Sequence, residues 1–172
     1  MAGQESLVII RYEDEILLGL KKDREGKVVF GKYKWNGFGG KMDKVDNGSI
    51  EACALRETFD ECGIKIPLED LAKVGYTHYS FEGKEDDHFV TIFEYWAPDK
   101  NFKESEEMLP RWFHKKDIPY NANGLSEGCG MWPNDAIWLP MVLDGEKIEG
   151  RIHMSAKGKT LNCVINGKVY VQ

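Results

Sequence analysis

The sequence predicts one α/β domain, on three observations. Short runs rich in β-branched and aromatic residues recur along the chain, as strands do. Among them lies one helix with clear start and stop signals, Ser49 to Cys62. No repeat, low-complexity stretch or Pro/Gly/Ser-rich linker divides the 172 residues, so residues 1–172 read as a single domain.

Taken in order, Leu7-Val8-Ile9-Ile10 and Ile16-Leu17-Leu18-Gly19-Leu20 are apolar runs on either side of Glu13-Asp14-Glu15, a hairpin turn. Lys21–Lys34 is a basic loop holding Gly26 and Gly31. In Trp35-Asn36-Gly37-Phe38-Gly39-Gly40-Lys41, three glycines in four positions indicate backbone packed close to something. The helix has Ser49 as its cap, Glu51 in its positive first turn and Gly63 as its stop. Ile50, Ala54, Leu55, Thr58 and Cys62 form its less polar side. Lys73–Ser80 and His88–Trp96 read as strands joined by the acidic turn Lys84–Asp87, and Trp112-Phe113-His114 as a short strand. Pro133 to Leu143 fits a second helix, with Pro133 in its first turn, although Pro140 removes an internal hydrogen bond. Arg151–Met154 and Leu161–Val171 are expected to be strands paired across the Asn166-Gly167 turn.

Composition excludes several classes. Hydrophobic residues at 42% and charged residues at 30% describe a soluble domain able to bury a core. No apolar run reaches the ~18 residues of a membrane helix, and Met1-Ala2-Gly3-Gln4-Glu5-Ser6 lacks the features of a signal peptide. Asp+Glu 29 against Lys+Arg 23, a net charge of -6, argues against a nucleic-acid-coating surface. It leaves room for a small anionic ligand, because a bound divalent cation inverts the local field. Cys53, Cys62, Cys129 and Cys163 have no CxxC spacing, which points to free thiols and a cytoplasmic protein.

Glu57, Asp60 and Glu61 stand at i, i+3 and i+4, on one helix face, bracketed by Arg56 and Lys65. An acidic cluster alone is usually a solvated face. Three neighbouring like charges repel, however, unless a cation sits among them, and carbonyls of the preceding glycine-rich loop can complete an oxygen site. Hard oxygen ligands select Mg²⁺ or Mn²⁺, ions that neutralise charge during phosphoryl chemistry. Trp132 offers a π face to a purine, worth about 1–3 kcal/mol. Taken alone, Trp132 or Trp138 is more often simply a core residue. Asn36 and Asp135 can read a base edge, Asn as donor and acceptor, Asp⁻ as acceptor only. His78, His88, His114 and His153 have no zinc spacing, Cys53 and Cys62 read as helix packing, and residues 103–107 read as a solvated loop apart from Glu107.

Gly40 followed by Arg56-Glu57-Thr58-Phe59-Asp60-Glu61-Cys62-Gly63-Ile64 resembles the Nudix box, G-x5-E-x7-R-E-U-x-E-E-x-G-U. Counting forward from Gly40 puts the box's first Glu at Asp46; counting back from Arg56 puts it at Gly48. The segment is therefore two residues longer than the pattern and its Glu, a loop buttress in the family, is missing. Asp60 stands for a Glu. Gly19-Leu20-Lys21-Lys22, Trp35 to Lys41, Glu107 to Phe113, Met131 to Asp135 and Trp138 resemble the branch of the family that hydrolyses oxidised purine nucleoside triphosphates.

The resemblance implies an α/β/α sandwich around a mixed sheet. It implies Mg²⁺-dependent hydrolysis to a nucleoside monophosphate and pyrophosphate, sanitising the nucleotide pool. By position, Glu57, Asp60, Glu61, Glu107 and the Gly39 carbonyl become metal ligands. Arg56, Glu57, Glu61 and Glu107 become the catalytic set, with Glu61 and Glu107 both candidates for the base that activates water. Lys21 and Lys41 would face the phosphates or the pocket mouth. Ser6, Asn36, Phe38, Gly40, Tyr79, Phe81, Met108, Trp132, Asn134, Asp135 and Trp138 would bind substrate. That branch has two adjacent aspartates where this chain has Asn134-Asp135. Asn134 is therefore expected to present a fixed amide donor to the guanine six-carbonyl, with ionised Asp135 accepting from the adjacent N–H groups. A small nucleotide is the expected partner, with no nucleic acid and no membrane, and the chain is expected to be a monomer. The alternatives are a Nudix hydrolase of another nucleoside diphosphate derivative and a non-catalytic nucleotide-binding module.

Overall fold

The computed structural model describes residues 3–27, 33–120 and 129–170. The expectations that touch Met1, Ala2, Gly31 and Val171 lie outside them. Among the described residues nine strands form one mixed sheet. They are β1 (Gly3–Tyr12), β2 (Glu15–Lys21), β3 (Trp35–Asn36), β4 (Ala72–Phe81), β5 (His88–Trp96), β6 (Met108–His114), β7 (Ile148–Met154), β8 (Thr160–Ile165) and β9 (Lys168–Tyr170). Their order is β3-β2-β1-β5-β4-β7-β8-β9, with β6 along the other edge of β2. The β1–β5 and β4–β7 pairs are parallel and the rest antiparallel.

Two helices, α1 (Ile50–Cys62) and α2 (Asp135–Leu143), cover opposite faces. Strand alternation decides which residues meet each one. Val8, Ile10, Leu17 and Phe93 pack with Ala54 and Cys62 of α1. Ile9, Ile16, Leu18 and Ile92 pack with Trp138, Leu139 and Val142 of α2. The expected α/β/α sandwich is therefore observed. Among the described residues no helix is long and apolar enough to cross a membrane.

The first helix follows its sequence signals. Ser49 Oγ accepts from the Ala52 N–H at 3.1 Å, and Gly63 ends the helix at φ 70° with its N–H on the Phe59 carbonyl. The second helix starts at Asp135 because Pro133 and Asn134 form a turn, and it runs through Pro140 to Leu143. Proline removes one helix bond, whereas this short helix buries Trp138, Leu139 and Val142, each worth about 1.5–3 kcal/mol or more.

The C-terminal expectation needs correcting. Asn166 and Gly167, at φ 51° and 77°, lie inside the expected Leu161–Val171 strand and fold it into the β8–β9 hairpin. A two-residue turn of this kind reverses the chain at once, so it cannot join β7 to β8. Residues 155–159 make that connection instead.

The site depends on how β1 and β2 part. They pair from Ile10↔Leu17 to Tyr12↔Glu15, after which β3 takes over along Gly19 and Leu20. The glycine-rich loop enters this opening and bridges β1 at Val8↔Phe38 and Glu5↔Lys41. A Cβ on Gly39 would fall 2.1 Å from the Ser6 carbonyl oxygen, and Gly39 has φ 152°. Only glycine lets the loop lie on the strand so closely.

Candidate active site

One turn of α1 presents Glu57 and Glu61 to the underside of the glycine-rich loop. Glu61 is buried, and its Oε2 accepts from the Gly39 N–H at 2.9 Å. Burial pushes the Glu61 carboxyl up to about 8; that hydrogen bond and the charge of Lys21 act against the shift, while the carboxylates of Glu57 and Glu107 add to it. A Cβ on Gly40 would fall 2.8 Å from Glu57 Cδ, so the loop rests on the second carboxylate too. Asp60 is exposed beside Glu61, and Glu107 is exposed just before β6. Lys41 is exposed on the loop, and its carbonyl accepts from Arg56 Nη2 at 3.4 Å.

Arg56 ties this arrangement together. Its Nε and Nη2 donate to Asp46 Oδ1 and Oδ2 at 2.8 and 2.9 Å, while Nη1 donates to Glu57 Oε1 at 2.7 Å. A guanidinium suits such a fork. Asp46 is buried at 3% exposure, and Oδ2 also accepts from the Asp43 N–H at 2.8 Å. The hydrogen bonds from Arg56 and then Asp43 hold its carboxyl at about 2. The box's Glu is absent, and Asp46, at the position given by the forward count, braces the loop through Arg56. The two additional residues fall to Asn47 and Gly48, at φ 51° and 77°, a left-handed turn between Asp46 and the Ser49 cap. Asp46 and the helix both keep their places, and the forward count from Gly40 is the one that finds the acid.

Beside the acids lies a cavity of about 620 Å³. Ser6, Asn36, Gly40, Tyr79, Phe81, Trp132, Asn134, Asp135 and Trp138, the residues that the resemblance assigns to substrate, line it. Phe38 and Met108 do not. Phe38 is fully buried in the core beneath α1, and Met108 fills the space over Gly19, where a Cβ would meet its Sδ at 2.7 Å. Phe38 alternates away from the cavity, and Met108 is drawn under α1 by its pairing with Lys21. Lys21 lines a neighbouring cleft together with Glu107.

On the cavity floor, burial pushes the Asp135 carboxyl up to about 7, although the Trp132 N–H at 3.0 Å and the Trp138 Nε1–H at 3.1 Å both donate to it. Asn134 Nδ2 donates to the Tyr79 hydroxyl at 2.9 Å and points at Asp135 Oδ1 at 3.4 Å. Its Oδ1 is buried with no partner. The expected geometry is reversed: the amide donor is used within the protein, and the group left over is an acceptor. Trp132 is 38% exposed, leaving ring surface available for stacking.

The NUDIX domain profile matches residues 4–128. The chain belongs to the Nudix family. It is 34% identical over 145 residues to the mouse oxidized purine nucleoside triphosphate hydrolase, covering 84% of this chain and 82% of that protein. The zebrafish protein of the same name is 33% identical over the same shares. Among solved structures, a mutator MutT protein from Bacillus halodurans matches with a TM-score of 0.74 at 22% identity, covering 96% of this chain and 99% of that one. A NUDIX hydrolase from Nitrosomonas europaea matches with a TM-score of 0.61 at 17% identity, covering 90% and 79%. These two bear on the fold alone. The chain is a Nudix pyrophosphohydrolase, of a family that acts on small nucleotides with divalent metal ions.

The donor set of this Nudix site fits such an ion. Glu57 and Glu107 are each close enough to Glu61 for their charges to oppose its own, and the ligands on offer are all oxygen. Among the described residues no three acidic, histidine or cysteine side chains close into a metal cage. Mg²⁺ needs no such cage, since it keeps waters and takes phosphate oxygens beside one or two carboxylates.

Sequence reasoning missed part of the cavity wall. His88 and Glu5 line it as a pair, Nδ1 to Oε1 at 2.6 Å, with His88 edge-on to Phe81. Ser155 to Gly158 supply another wall. A Cβ on Gly158 would meet Trp132 Cζ3 at 2.6 Å, so this turn backs the tryptophan. The signal in the sequence was Gly158 itself, hidden by assigning the β7–β8 connection to the Asn166-Gly167 turn, which joins β8 to β9 instead.

Proposed function

We propose that the protein is a Mg²⁺-dependent hydrolase of oxidised purine nucleoside triphosphates, 8-oxo-dGTP foremost. It releases the nucleoside monophosphate and pyrophosphate, and so clears damaged precursors from the nucleotide pool. The observation that carries this reading is the continuity of the two halves of the site. Gly39 and Gly40 line the cavity while touching the Glu61 and Glu57 carboxylates. A nucleotide with its base against Trp132 and the floor of Asn134, Asp135 and Tyr79 has its phosphates led to the acids. That the purine is an oxidised one rests on the mouse and zebrafish relatives.

Glu57, Asp60, Glu61, Glu107 and the Gly39 carbonyl are the groups that would hold Mg²⁺, or Mn²⁺ in its place. Bound there, the ion neutralises charge developing on the phosphates. Arg56 fixes Glu57. Lys21, in the cleft beside Glu107, and Lys41, exposed on the glycine-rich loop, would offset phosphate charge. Glu61 is anchored by the Gly39 N–H, which suits a ligand, whereas exposed Glu107 is free to take the proton of the attacking water. The water oxygen bonds to phosphorus, the bridging P–O bond breaks, and its electron pair leaves with the departing phosphate group.

The floor favours a guanine-type edge. Asn134 Oδ1 and ionised Asp135 are both acceptors, and the ring N–H and exocyclic amine of guanine are adjacent donors. An adenine edge sets a ring acceptor against one of them, and an unpaired buried polar group costs about 1–3 kcal/mol, a ten- to hundredfold preference. A monomeric state belongs to the same reading. The four cysteines are free thiols, in keeping with the cytoplasm. The test is side-by-side hydrolysis of 8-oxo-dGTP, 8-oxo-dATP, dGTP, dATP and their ribonucleotides with product analysis. Faster turnover of a dinucleotide or nucleotide sugar, or binding without turnover, overturns the reading.

A further inference from the structure

Lys21 and Lys22 are neighbours at the end of β2, and successive residues of an extended chain point to opposite sides. Lys21 is exposed, and its charge acts on Glu61. Lys22 turns the other way, with its side chain only 10% exposed. Its Nζ donates to the Ser105 carbonyl at 2.7 Å and pairs with the Glu104 carboxylate. Its backbone N–H donates to the Glu107 carbonyl at 2.8 Å. Ser105 then closes the segment onto β6: its Oγ accepts from the Met108 N–H at 3.0 Å, and its own N–H donates to the Met108 carbonyl at 3.2 Å.

Residues 101–107 form no regular secondary structure, and most of them are exposed. A segment of that kind has few bonds of its own to fix where its last residue lies. Here one nearly buried ammonium and the adjacent backbone N–H grip it at Ser105 and Glu107, on either side of Glu106. We propose that Lys22 is a positioning residue for Glu107, pinning residues 104–107 to the end of β2 so that Glu107 stands beside the acid helix. The proposal rests on the reading of Glu107 as a participant at that site. Lys22 touches no substrate: it acts through the loop, and a shift of about 1 Å in a reacting group is enough to lower turnover up to a hundredfold.

Lys22→Met keeps the stem and removes the charge and donors. The expected result is a fall in kcat of about tenfold or more with KM changed by less than about twofold, because the base cavity is untouched. Lys22→Arg, which can still reach a carbonyl, restores kcat to within about threefold. In a Glu107→Gln background, Lys22→Met has no further effect beyond about twofold, since the group it positions is already gone. Ser105→Ala repeats the test with a smaller change and the same dependence on Glu107, should Lys22→Met lower the melting temperature severely. An equal loss in both backgrounds, a loss confined to KM, or no loss at all overturns the positioning role. Glu107→Gln with full kcat overturns the reading of Glu107 and the proposal with it, so the two failures are distinguishable.

Discussion

Asp46 and Asp135 are both buried aspartates, at 3% and 2% exposure, and they lie at the two ends of the site. One is held at about 2 and the other is pushed up to about 7. The difference lies in the company each keeps. Asp46 receives two hydrogen bonds from a guanidinium, so its ionised form is favoured and it braces a loop. Asp135 receives neutral N–H donors in an apolar floor, and desolvation outweighs them. A fixed charge suits the end that organises metal ligands. A group that changes protonation near neutrality suits the end that sorts bases by their donors and acceptors.

The largest expected effect lies at the acids that Asp46 helps to arrange. Glu57→Gln and Glu61→Gln each remove a negative ligand at constant size, and kcat should fall by about 10³-fold or more. Circular dichroism should be unchanged in both. Full activity of either variant with Mg²⁺ limiting would break the metal assignment.

Asp46→Ala comes next, because it leaves Arg56 free to swing away from Glu57. Loss of an outer partner of this kind lowers metal affinity or activity about 10–100-fold, and the Mg²⁺ half-saturation should rise. The same group predicts an acid-labile contribution. Its folded pKa of about 2 lies below the ordinary aspartate value of 3.8, so the stability it contributes is present above about 4 and lost as pH falls towards 2. Melting temperatures of the wild type and Asp46→Asn should differ at pH 7 and converge near pH 2. A constant gap means that Asp46 is not the titrating brace.

At the other end, Asn134→Asp restores a protonatable pair. The ratio of kcat/KM for 8-oxo-dGTP over 8-oxo-dATP should drop by about tenfold, the order of one mispaired polar group. An unchanged ratio removes Asn134 from base selection.

The smallest effect is the pH dependence of that ratio. Ionised Asp135 accepts from a guanine-type N–H, and protonated Asp135 donates to an adenine-type ring nitrogen, so guanine preference should rise several-fold as pH increases through about 7. The stability sign is opposite to that of Asp46. A folded pKa raised from 3.8 to about 7 means that Asp135 destabilises progressively as pH rises from about 4 to 7, and Asp135→Asn should remove that slope. A ratio independent of pH between 6 and 8 would place the titration elsewhere.

What the sequence determined by itself was local. The α1 caps, the i, i+3, i+4 acids, the short apolar runs and the crowded glycines all follow from periodicity and backbone sterics within a few residues. They carried the fold class and the acidic face, whereas the cavity residues near Trp132 came only with the resemblance to the Nudix family. Tertiary structure decided what depended on distant partners. Asp46 was one of two candidate positions until Arg56, ten residues on, closed on it. Phe38 and Met108 read as pocket residues until the parting of β1 and β2 enclosed them beneath α1. The turn at 155–159 became a pocket wall only by packing Gly158 on Trp132. Asn134 reversed its expected role because Tyr79, on β4, takes its amide hydrogen. A side chain's type is written in the sequence, but which of its hydrogen-bonding groups remains free depends on every neighbour that folding brings to it.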